Sequence, residues 1–131
     1  MTFKVDFKVR DYECDLQGIV NNGNYFVYME HARHKHLKTL GLDFKKLHDE
    51  GYDLVLSEVQ MKFKASLVSG DIFITSSHME KKGRVRVLVK QTIIRESDKK
   101  LINEAVFTIT CVNNIKGKIE MPKWILDKLF D

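Results

Sequence analysis

The chain has 131 residues, 44% of them hydrophobic and 31% charged, with a formal net charge of +4. That length suits one domain with a buried core, and one Pro and seven Gly leave no room for a long flexible linker. Acidic residues are interleaved with the lysines and no run reaches the ~18 apolar residues needed to span a bilayer, which argues against nucleic acid as partner and against stable membrane insertion.

A single domain over residues 1–131 is therefore expected, without repeats or low-complexity segments. Cys14 and Cys111 make no disulfide framework, and the polar residues after Met1-Thr2-Phe3 interrupt any signal-peptide core. Reduced thiols and a cytoplasmic location follow as expectations.

Phe3, Val5, Phe7 and Val9 alternate with Lys4, Asp6, Lys8 and Arg10, the period of a half-buried strand. A glycine-bearing, asparagine-rich loop follows from about Asp11 to Gly23. Asn22 or Asn24 then stands ready to cap a helix running through Leu40. Tyr25, Tyr28, Met29, Ala32, Leu37 and Leu40 fall near helical spacing, with Gly41 as terminator. Phe26 and Val27 make the first turns apolar nearly all round, so the helix must be enclosed. Asp43 to Glu50 predicts a short second helix ended by Gly51.

Four strand-like stretches come next. Val55, Val59, Met61 and Phe63 alternate with Glu58, Gln60 and Lys62, and Ile72 and Ile74 share a face after a turn at Ser69-Gly70-Asp71. Val85, Val87 and Val89 alternate with basic residues after a turn at Lys82-Gly83. Ala105, Phe107, Ile109 and Cys111 form the last alternating run. Turns at Asn113-Asn114 and Lys116-Gly117-Lys118 lead to Met121-Pro122 and a final amphipathic helix with Trp124, Ile125, Leu126 and Leu129. Short connections favour antiparallel pairing. The fold class is α+β, about five antiparallel strands curved around one long helix.

The chemistry concentrates in Cys14-Asp15-Leu16-Gln17-Gly18-Ile19-Val20-Asn21-Asn22-Gly23-Asn24-Tyr25. One carboxylate, Asp15, sits in a loop that leads into the start of a helix. Backbone N–H groups there can be aimed at an oxygen while the carboxylate activates water or attacks a carbonyl, which points to ester or thioester cleavage. Gly18 and Gly23 supply backbone freedom for a tight turn close to a ligand. His31, His34 and His36 lack the metal-binding arrangement of two histidines four apart with a glutamate after the first, so no metal is expected. Glu30 reads as a structural partner for Arg33 or His34, and Cys14 as a filler whose thiolate Asp15 would disfavour.

Asp15 with Gly18-Ile19-Val20, Asn24-Tyr25, Met29-Glu30-His31-Ala32-Arg33, Met61-Lys62-Phe63, Ser69-Gly70-Asp71 and Met121-Pro122 together resemble the hotdog-fold acyl-CoA thioesterases. The 4-hydroxybenzoyl-CoA thioesterase branch is the nearest in pattern, including its small Tol–Pal-linked members. The resemblance implies hydrolysis of an acyl-CoA to a carboxylic acid and free coenzyme A. Asp15 would be the catalytic carboxylate, and main-chain N–H groups near Asn22 and Gly23 would hold the oxyanion. Many relatives carry a histidine where this chain has Asn22, which keeps the main-chain donor but cannot exchange a proton. Gly18, Val20 and Tyr25 would face substrate, and Lys82 and Arg84 would meet coenzyme A phosphates. No cofactor is implied beyond the coenzyme A of the substrate. A homodimer or homotetramer is implied, with the active site built between subunits. The alternative is a non-catalytic acyl-CoA binding module on the same fold.

Overall fold

The computed structural model describes residues 2–130. Strand β1 spans Phe3–Lys8 and is followed by a single 3-10 turn at Asp11–Glu13. Helix α1 runs from Asn22 to Thr39 and α2 from Phe44 to Asp49. Strands β2 (Tyr52–Phe63), β3 (Ile72–Lys82), β4 (Arg86–Arg95) and β5 (Leu101–Asn113) follow, then a two-residue β6 (Lys118–Ile119) and α3 (Lys123–Phe130). All strands pair antiparallel in the order β1-β3-β4-β5-β2, with β6 beside β5. The α+β architecture read from the alternation is the one present.

α1 buries Tyr25, Tyr28, Met29, Ala32, Arg33, His36 and Leu37, positions that recur every three or four residues and so share one face. Opposite them the sheet offers Phe73, Val87, Val89, Ile93, Ala105, Phe107 and Cys111, all buried. Phe7 stacks on Phe73 at 5.1 Å between ring centres, and Tyr28 leans on Phe73 at 4.8 Å. This aromatic seam locks the amino-terminal half of α1 to the β1 side of the sheet.

Two details depart from the sequence pattern. Val55 does not share the face of Val59. A bulge between Leu56 and Glu58 shifts the register, so Leu54, Leu56, Val59, Met61 and Phe63 lie opposite Cys111, Ile109, Phe107, Ala105 and Asn103, while Val55 is opposite Thr110. Ser57 is the extra residue, and its hydroxyl donates to the Thr108 carbonyl at 3.1 Å. The bulge keeps one apolar face continuous through a change of phase.

The second departure is a cation in the core. Arg33 is only 5% exposed, and its guanidinium sits 3.9 Å above the centre of the Phe107 ring. Its Nη1 donates to Gln91 Oε1 at 3.0 Å, while Gln91 Nε2 donates to the Met29 carbonyl and to Ser77 Oγ. Burial lowers the guanidinium pKa to about 10, which leaves it charged at neutral pH. Glu30 makes no ion pair within 4 Å among the described residues, so the expected Glu30 partnership gives way to Gln91 and an aromatic face.

Candidate active site

The loop between β1 and α1 folds as a miniature hairpin. Cys14 bridges to Val20, the Asp15 N–H donates to the Ile19 carbonyl at 2.9 Å, and the Gly18 N–H closes the turn on the Asp15 carbonyl at 3.0 Å. Gly18 takes φ +82°, a conformation that costs a side-chain-bearing residue and costs glycine little. The turn holds Asp15 at the surface, with Oδ1 accepting the Gln17 N–H at 2.8 Å. The other carboxylate oxygen has no partner among the described residues.

The turn is tied to the start of α1. The Glu13 carbonyl accepts both the Asn21 N–H, at 3.1 Å, and Asn24 Nδ2, at 2.7 Å. Val20 N–H donates to the Leu67 carbonyl, and Ile19 bridges to Val68, so the segment before β3 braces the hairpin from behind. Tyr25 completes the brace: it is 2% exposed and its hydroxyl accepts the Leu67 N–H at 3.0 Å. Burial raises its pKa, so it stays a neutral phenol.

Asn21, rather than Asn22 or Asn24, is the helix cap. Its Oδ1 accepts the Gly23 N–H at 3.0 Å, and its carbonyl accepts the Asn24 N–H at 2.8 Å. The Asn22 N–H has no acceptor among the described residues. It is therefore the open donor at the positive end of the helix dipole. With three asparagines in four positions, the sequence signal for a cap was present but did not choose among them.

The predicted site residues divide into three groups. Asp15, Gly18, Asn22 and Gly23 come together at the surface, with Gly23 already engaged by Asn21. Val20 and Tyr25 stand behind them in the core; their side chains support the loop instead of facing an open surface in the single chain. Lys82 and Arg84 are elsewhere. They lie at the far end of β3 from the Leu67–Val68 segment that braces the hairpin, and β3 itself is ten residue steps or ~33 Å long.

The three histidines of α1 go to three different aromatic rings: His31 to Phe7, His34 to Phe44, and His36 to Phe3. Burial lowers the pKa of His34 and of His36. Cys14 is half-buried. Cys111 is fully buried, with its thiol pushed up to about 11, which makes it a poor nucleophile.

Apolar side chains crowd the surface around the Asp15 turn. Leu16 is fully exposed, and Tyr12, Phe63 and Val68 are largely so. Phe63 also packs edge-on against Tyr25.

Comparison with known proteins fits this arrangement. A family model described as the Thioesterase-like superfamily matches residues 9–129. An acyl-acyl carrier protein thioesterase of Arabidopsis thaliana chloroplasts is 32% identical over 125 residues, which cover 95% of this chain; the chain spans 66% of that relative's length. A solved protein from Aquifex aeolicus is 31% identical, with a TM-score of 0.88 over 97% of this chain and 98% of that one. The 1,4-dihydroxy-2-naphthoyl-CoA thioesterase from Synechocystis, at 18% identity, has a TM-score of 0.92 over 100% of this chain and 97% of its own, a likeness of fold. By its sequence match and its sheet curled on a central helix, the chain belongs to the thioesterase-like superfamily of hotdog fold.

Proposed function

We propose that this chain hydrolyses an acyl thioester of a phosphopantetheine thiol, acyl-CoA included, to a carboxylic acid and the free thiol. The observation that carries the reading is the pair of hydrogen bonds that the Glu13 carbonyl accepts from Asn21 N–H and Asn24 Nδ2, which fixes the Asp15 turn against the opening of α1. A carbonyl bound between them would accept the Asn22 N–H, with the Gly23 amide shared between Asn21 and the substrate. Asp15 would activate the attack from its unoccupied oxygen. The same oxyanion forms whether Asp15 takes a proton from water or attacks the carbonyl carbon itself, and preorganised amides stabilise either one. No metal is required by this chemistry.

The site is completed by a second copy in this reading. β2 is hydrogen-bonded to β5 on one side only, and Leu56, Val59 and Phe63 on its inner face are substantially exposed. Such an edge invites its own copy. Antiparallel pairing of two β2 strands brings the Lys82–Arg84 hairpin of one copy to the end of the joint sheet that holds the other copy's Asp15. The basic hairpin would then meet the phosphates of coenzyme A when the thioester is an acyl-CoA. The name of the Arabidopsis relative, with its carrier-protein substrate, supports phosphopantetheine as the common element.

A thiol-release assay over short, long and aromatic acyl groups on both coenzyme A and an acyl carrier protein tests the reading. Turnover of at least one thioester is the expected result. Saturable binding without any thiol release would instead assign the chain as a binding module.

A further inference from the structure

At the edge of the sheet opposite β2, a trough runs between β1 and α1. Its first part, of about 750 Å³, begins at the Asp11–Glu13 turn; a second, of about 400 Å³, continues it and shares Val5, Asp6 and Lys35 as walls. Lys4 and Lys8 line it from β1, and Lys35 and Lys38 from α1. None of the four has an ion-pair partner among the described residues.

The acids of the trough are gathered at its turn end and are largely engaged. Glu13 accepts the Arg10 N–H at 2.8 Å and faces the Arg10 guanidinium, and Asp11 accepts the Ser69 hydroxyl. Along the rest, four lysines face only Asp6. On the floor lies Tyr28, 4% exposed, its hydroxyl turned toward the Glu13 carboxylate.

The spacing selects the kind of guest. Lys4 and Lys8 are four residues apart on a strand, ~13 Å, which is too wide for one phosphate. Carboxylates one helical turn apart, ~6 Å, match the Lys35–Lys38 step, and those two turns apart, ~11 Å, come near the Lys4–Lys8 spacing. Lysines act as mobile point charges, suited to steering an acidic surface rather than to gripping one phosphate in a bidentate fork.

We propose that this trough is the docking seat for the acidic helical face of a protein that carries the acyl group as a phosphopantetheine thioester. The proposal rests on the thioesterase reading above and names the carrier. The turn end of the trough stops at Glu13, two residues before Asp15, so a carrier seated here holds its thioester at the mouth of the site. Salt weakens the interaction, because all four lysines are at the surface.

The test is binding of a holo acyl carrier protein, its thiol capped as an uncleavable thioether, by fluorescence anisotropy. It is run on the wild type and on Lys8→Glu/Lys35→Glu, with the melting temperature of each as a control for folding. The wild type is expected to bind, more weakly as salt rises, and the double variant to bind about tenfold more weakly or worse. No binding by the wild type, or equal binding by both proteins, overturns the proposal. So does charge-dependent binding to phosphatidylserine vesicles without binding to the carrier, which would assign the trough to a membrane surface. Hydrolysis of acyl-CoA without carrier binding removes the seat and leaves the thioesterase reading intact. Charge-dependent carrier binding with no cleavage of any thioester upholds the seat and removes that reading.

Discussion

Asp15→Asn is expected to lower thioester turnover at least ~100-fold, the loss typical of removing a positioned general base. The substitution is a clean probe because the fold makes little use of the charge. Asp15 is exposed, and among the described residues its side chain makes one hydrogen bond, accepting the Gln17 N–H on Oδ1, an interaction an asparagine oxygen also makes. The miniature hairpin is held by backbone bonds from Asp15 N–H and Gly18 N–H, which do not involve the side chain. An unchanged melting temperature with collapsed thiol release is therefore the expected pair of observations. Full turnover in a folded variant would remove Asp15 from the mechanism.

The second large effect is expected at the open edge of β2. Val59 is 40% exposed in the single chain and sits opposite Phe107 near the middle of the strand. Val59→Lys leaves an isolated chain able to fold, because the new ammonium can reach water. In a β2–β2 dimer the same ammonium is buried twice across the two-fold axis without a partner, at a cost of several kcal/mol. Light scattering after size exclusion should show the wild type as a dimer or tetramer and the variant shifted toward monomer. Turnover should fall in step, since the basic hairpin and Asp15 would no longer meet. An unaltered oligomer would place the interface on another surface.

Much of this architecture was legible from alternation alone. Phe3 to Phe7, Val87 to Val89 and Ala105 to Cys111 repeat every second residue and lie in strands with that face inward, while Val9 and Val85, read as part of the same runs, fall just outside β1 and β4. Gly41, Gly51, Gly83 and Gly117 all take positive φ where turns or helix ends were read. What stayed hidden depends on partners far away in the chain. The bulge at Ser57 is visible only against β5, where Leu56 meets Ile109 and Glu58 meets Thr108. Arg33 looked like a surface partner for Glu30 because local spacing allows it. Its true neighbours, Gln91 and Phe107, are more than fifty residues away.

The candidate site was legible in a similar, partial way. Asp15 and the start of α1 were found together because they are close in sequence and joined by a loop too short to separate them. Asn21 was overlooked as the cap because Asn22 and Asn24 offer the same chemistry one and three positions later. Lys82 and Arg84 were assigned to coenzyme A phosphates through the family resemblance, and in the single chain they lie at the opposite end of β3 from the segment bracing the Asp15 loop.

The central claim is that the Asp15 carboxylate and the Asn22 amide flank one carbonyl group in the assembled protein. The most direct measurement is a crystal structure of the oligomer with an acyl ketone analogue in which a methylene replaces the thioester sulfur. The analogue's oxygen should accept the Asn22 N–H at about 3 Å, with an Asp15 oxygen facing the carbonyl carbon directly or through one water. An analogue bound in another cleft, with Asp15 turned to bulk solvent in every subunit, would contradict it.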